Sequence, residues 1–146
     1  MALAVLLLLL SLFSGCTGKH PFLMVQLCLR NEQNVAVFTE MMKSISQSQR
    51  MDFTDGGVVT QKDLTKLKTS PNYPLIYVGA NRKDGVGWEG GNLGLSAYEV
   101  ALGFSEGSNP ADARRFADLV ISKLNKRWLV YVVPTGRGAL PVKSCK

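Results

Sequence analysis

Apolar residues run almost unbroken from Phe22 to Leu29, with Gln26 the one interruption, and such a run predicts a buried strand. Arg30 to Asn34 is a polar turn. Beyond it Val35, Phe38, Met41, Met42 and Ile45 recur at helical spacing, which predicts an amphipathic helix to about Gln49. Met51 and Phe53 alternate with polar residues as a second strand, which Asp55-Gly56-Gly57 interrupts. Thr60-Gln61-Lys62-Asp63 has the form of a capping pattern for a short helix carrying Leu64 and Leu67. After a loop with two prolines, Leu75 to Ala80 reads as a third strand and Asn81 to Asn92 as a long polar, glycine-rich connection. Tyr98, Val100, Leu102 and Phe104 then alternate with smaller or polar residues, favouring a half-exposed strand; a helix over Ser96–Leu102 is the competing assignment. Asn109-Pro110-Ala111-Asp112 marks a helix start: a cap, a proline suited to the first position and an acid at the positive end. Ala113, Phe116, Val120 and Leu124 form its inner stripe, and Trp128 to Val133 is a last apolar strand.

The order is β-α-β-(short helix)-β-β-α-β. It resembles the split βαβ, ferredoxin-like sandwich. That resemblance implies an α+β domain of two layers, with an antiparallel or mixed sheet and two long helices. The runs Phe22–Leu29 and Trp128–Val133 are apolar on both faces, which places both in the interior of the sheet. Two helices on one face leave the other to be covered by the short helix, the C-terminal tail, a second subunit or a partner protein.

The N-terminal stretch changes the picture. Ala2 to Phe13 is apolar apart from Ser11 and ends in Ser14-Gly15-Cys16. It is shorter than the roughly 20 residues of a membrane-spanning helix and has the form of an export signal. Phe13-Ser14-Gly15-Cys16 resembles the lipobox of bacterial lipoproteins, matching it at Ser14, Gly15 and Cys16 and departing at Phe13. The resemblance implies a signal over residues 1–15, a lipid on Cys16, a tether over residues 16–21 and one domain over residues 22–146. With Thr17 rather than aspartate after the cysteine, it also implies the periplasmic side of the outer membrane. The alternative is cleavage after Gly18, giving a secreted or soluble periplasmic protein. With Cys16 set aside, Cys28 and Cys145 remain as a pair suited to an oxidising compartment, and a disulfide is expected between them.

The formal net charge of +6 favours anionic partners: lipid head groups, cell-wall polymers or acidic protein surfaces. Nucleic acid conflicts with export. The chain's one histidine, His20, falls in the tether, so neither a histidine-based triad nor a Cys/His zinc site is expected in the domain. Gly85-Val86-Gly87-Trp88-Glu89-Gly90 has dinucleotide-loop spacing, but Gly90-Gly91-Asn92 is a poor helix start, so no cofactor is expected. Asp52-x-x-Asp55 reads as a turn. Trp88, amid glycines and charges, is either packed in the core or an exposed anchor for a partner.

These features together predict a non-catalytic, membrane-anchored protein that binds another protein of the envelope. An immunity or inhibitor protein acting on a periplasmic toxin or enzyme is the concrete form. An assembly factor of an envelope machine, a small hydrolase and an anionic-ligand carrier are the rivals. The expected contact is the segment Arg82–Asn92, with Arg82, Lys83, Trp88, Glu89 and Asn92 as its residues.

Overall fold

A computed structural model describes residues 20–134 and Cys145. The predicted signal, the lipidation site Cys16 and most of the tether lie outside the described residues. The chain forms β1 (Leu23–Cys28), α1 (Glu32–Ser48), β2 (Asp52–Asp55), α2 (Gly57–Lys66), β3 (Tyr77–Asn81), β4 (Val86–Gly91), β5 (Glu99–Glu106), α3 (Pro110–Leu124) and β6 (Val130–Val132). The class is α+β: a six-stranded sheet of order β2-β3-β4-β5-β1-β6, with every neighbouring pair antiparallel, and three helices.

Side chains opposite each other across a ladder share a face. Trp88 pairs with Phe104, and Phe104 with Leu23, so all three point to one side. Trp88 Nε1 donates to Ser46 Oγ of α1, and the Phe104 ring meets Phe116 of α3. Both helices therefore lie on this face. Val25, Leu27, Leu29, Phe38, Met42, Val100, Leu102, Ala117, Val120 and Leu124 fill the core between. On the opposite face lie Met24, Gln26 and Cys28 beside Glu99, Ala101 and Gly103. There Pro21 sits over Gly103, and Cys145 is joined to Cys28 by a disulfide with the Cα atoms 5.6 Å apart.

The helix starts follow local chemistry. Asn31 Oδ1 accepts from Asn34 N at 2.9 Å and caps α1. Asn109 Oδ1 accepts from Asp112 N at 3.2 Å, with Pro110 at the first turn of α3. The cap expected at Thr60 is not formed. Helix α2 starts three residues earlier, at Gly57, and Gly56 holds the cap position without a side-chain bond. Gln61 turns to the loop instead, donating to Tyr73 O at 3.1 Å and accepting from Leu75 N at 3.1 Å.

Two expectations are corrected, and one competing assignment is not realised. The connection Asn81–Asn92 contains a full strand, β4, entered by a tight turn in which Gly85 holds φ +83°. Residues Ser96–Leu102 form no helix, because β5 begins at Glu99 and pairs on both sides. The apolar run Trp128–Val133 does not lie inside the sheet: β6 is an edge strand, paired only to β1 among the described residues. Its apolar character comes from Trp128 and Val133 closing the core at either end, while Leu129 and Val132 stay exposed.

Candidate partner-binding surface

The ladder directions divide the molecule into two ends. At the Pro21 end lie the start of β1, the β3–β4 turn, the end of β5 and the start of α3. At the Cys28 end lie the ends of β2 and β4, the starts of β3, β5 and β6, all of α2, and the α3–β6 turn.

The segment Arg82–Asn92 does not form one contact surface. Arg82 lies in the β3–β4 turn at the Pro21 end. Its guanidinium bonds Asp84 Oδ2 at 2.7 Å and also Asp112 Oδ2 of α3, while Arg115 bonds Asp112 Oδ1 at 3.1 Å. Hydrogen bonds from Arg82 hold the Asp84 and Asp112 carboxyls below the ordinary carboxylate range, and the same bonds raise the Arg82 guanidinium. Ser108 N donates to Asp84 O at 2.8 Å. This network ties the turn to the start of α3 and occupies Arg82 internally. Lys83 is exposed beside it.

Trp88 is not an exposed anchor. It is 3% exposed, its indole N–H satisfied by Ser46 at 3.0 Å and its ring tilted against Phe53. Of its two open alternatives, core packing is the one realised. Glu89 is exposed at mid-strand on the face opposite α1 and α3. Asn92 is fully buried at the Cys28 end, accepting from Ile76 N at 2.8 Å and donating to Pro74 O and Ala97 O at 3.1 and 2.9 Å. Its role is to fasten the loop ends. The structure thus sends these five residues to a turn, a core, a sheet face and a buried junction.

What gathers on one surface is different. Among the described residues seven large apolar side chains stand exposed, and six lie at the Cys28 end: Val58, Val59 and Leu67 on and after α2, Tyr77, Leu93 and Leu129. Cations stand at both ends. At the Pro21 end Arg82, Arg114 and Arg115 are each paired to an acid, while Arg50 and Lys83 are exposed with no ion pair among the described residues. At the Cys28 end stand Lys62, Lys66 and Lys68 around α2 and Lys123, Lys126 and Arg127 at the end of α3. Among the described residues only Lys66 of these is paired, to Asp63 at 3.0 Å. That pair is highly exposed and weak. Arg127 also borders a shallow, largely apolar groove of about 610 Å³ with Ala36, Val37, Glu40, Met41 and Ser44 of α1.

Nothing in the sequence marks this end. Leu67 belongs to a predicted helix and Leu129 to a predicted strand, Val58 and Val59 to neither, and the exposure of all four emerges only in the fold. Among the described residues no group of three metal-ligating side chains converges, and no helix is long and apolar enough to cross a membrane. No family model, curated protein or solved structure matches the chain.

Proposed function

We propose that the chain is a non-catalytic binding protein, held at a membrane by a lipid on Cys16, which recognises an acidic surface of another protein through its Cys28 end. One observation carries this: among the described residues, six of the seven exposed large apolar side chains lie at the end of the sheet opposite the N-terminal approach, beside five cations with no ion pair. Aliphatic side chains left in water, rimmed by charge, are a signature of a protein interface. From Cys16 to Pro21 the chain spans at most about 18 Å, so a lipid there turns the Pro21 end toward the bilayer and the Cys28 end outward. The lipobox resemblance supports the periplasmic side of the outer membrane as the site. Inhibition of an envelope-acting enzyme or toxin is the form this binding takes by analogy with small exported domains. The strand order β6-β1-β5-β4 with α1 and α3 on one face supports a ferredoxin-like sandwich extended by β2, α2 and β3.

The test is purification of the lipidated chain from membranes, with its bound proteins identified, followed by reconstitution from purified components. A one-to-one complex that weakens about tenfold or more in Leu67→Asp and in Leu129→Asp supports the proposal. An intact mass without lipid on Cys16, or a complex indifferent to both substitutions, sinks the anchor or the surface respectively.

A further inference from the structure

Among the described residues the sheet has two edges, β2 and β6, and they are built differently. On β2 the exposed Asp52 and Asp55 guard the strand with charge. Charged edges resist the pairing of another strand. On β6 the sequence is Val130-Tyr131-Val132, with no charge in the strand, exposed Leu129 before it (67%) and exposed Val132 at its end (59%). Among the described residues β6 pairs with β1 alone, so alternate backbone groups face away from the sheet. Val133 N donates to Met24 O at 2.9 Å, and alternation along an antiparallel ladder then turns Tyr131 toward β1 and Val130 and Val132 away from it. The Val130 N–H is taken by Asn125 Oδ1 at 3.3 Å. The Val132 N–H and C=O and the Val130 C=O point outward. Directly before the strand come Lys123, Lys126 and Arg127, with no ion pair among the described residues, and Arg127 borders the apolar groove on α1.

We propose that the β6 edge accepts an extended, acidic segment of the partner protein as a seventh strand. Main-chain bonds to Val132 and Val130 hold it, its apolar side chains meet Val132 and Leu129, and its carboxylates meet Lys126 and Arg127. This is strand addition, in which the backbone supplies affinity and flanking side chains supply choice. A basic segment is repelled by the same cations, and so is a second copy of this chain pairing edge to edge, since it brings its own Lys126 and Arg127. The inference rests on the reading of a protein partner at the Cys28 end and adds how that partner is held.

The experiment follows amide exchange by NMR in the ¹⁵N-labelled full chain in lipid nanodiscs. The probes are a short synthetic peptide alternating valine with glutamate and its counterpart alternating valine with lysine. With the acidic peptide the Val132 amide slows its exchange at least about tenfold, while the Tyr131 amide, already bonded inside the sheet, does not change. The lysine peptide gives no protection, and Lys126→Glu with Arg127→Glu weakens the acidic peptide about tenfold or more. Val132→Pro removes the outward N–H and abolishes binding at unchanged charge. Protection of Val132 in the free chain overturns the proposal, because the edge is then already occupied by the chain itself or by a second copy. Peptide binding that leaves Val132 exchange unchanged overturns it too. If a purified envelope partner is lost with the charge reversals but tolerates Val132→Pro, strand addition falls and the functional reading stands.

Discussion

Trp88 and Asn92 are where single side chains decide the most. Both were legible as unusual, since a tryptophan among glycines and an asparagine closing such a stretch invite a role. For Trp88 burial was one of two open alternatives, and for Asn92 it was not legible, because burial depends on the register of β4, and a strand with three glycines carries too few large side chains to show its alternation. Once buried, each polar atom must find a partner. The Trp88 indole N–H has Ser46 Oγ, itself fully buried. Ser46→Ala leaves that donor without an acceptor and is expected to lower unfolding stability by about 1–3 kcal/mol in urea titrations. Asn92 satisfies one backbone donor and two carbonyls at once. Asn92→Asp replaces its two N–H donors by a carboxylate facing Pro74 O and Ala97 O. The expected loss is on the order of 3 kcal/mol, larger than for Ser46→Ala, and equal costs in the same titration would refute this account of the junction.

Elements were legible in proportion to their own periodicity. Helices α1 and α3 carry apolar stripes and side-chain caps: the start at Asn109 follows from sequence, and that of α1 falls inside the polar turn Arg30–Asn34. Strand β4 does not, because its glycines answer to neighbours rather than to itself: a Cβ on Gly90 would run into Leu102 and the Ala101 carbonyl of β5. Strand β6 misleads in the opposite sense. Its apolar run suggests an interior place, but what the run specifies is contact with β1 and the core on one side only. The link between the β3–β4 turn and α3 yields a pH prediction. Asp84 and Asp112 have carboxyl groups depressed chiefly by Arg82. A depressed folded value contributes stability that is complete above the unfolded value, near pH 4, and is lost as pH falls through the folded one. Wild type should therefore exceed Arg82→Gln by a constant margin above about pH 5, and the two melting curves should converge as pH drops toward about 2. A margin that persists at the acid limit would show that Arg82 acts by packing instead.

For the whole molecule, composition and pattern were enough for the α+β class and for the pairing of Cys28 with Cys145. The separation of surface character was not available, because it arises only when β1 to β6 are set in order and direction and turn distant valines, leucines and lysines to one end. The disulfide closes a separation of 117 residues. In the chain-entropy model a loop of that size contributes roughly 4–5 kcal/mol, so Cys28→Ser with Cys145→Ser should lower stability by about that amount in calorimetry or denaturant titration.

The same bond has a mechanical consequence. Pro21 lies at one end of β1 and Cys28 at the other, and Cys28 is joined directly to Cys145. Tension between the two ends of the chain therefore runs along β1 and across the sulfur bridge, and everything between Cys28 and Cys145 stays outside the force path. Strand β1 is already extended, and its partners β5 and β6 lie inside the closed loop, so the pull does not shear them from one another. Stretched from its ends with the bridge intact, the segment from β1 to the bridge should yield almost no length. Reduction should add the 117 residues of the loop, roughly 390–420 Å of contour length, in a single-molecule extension trace.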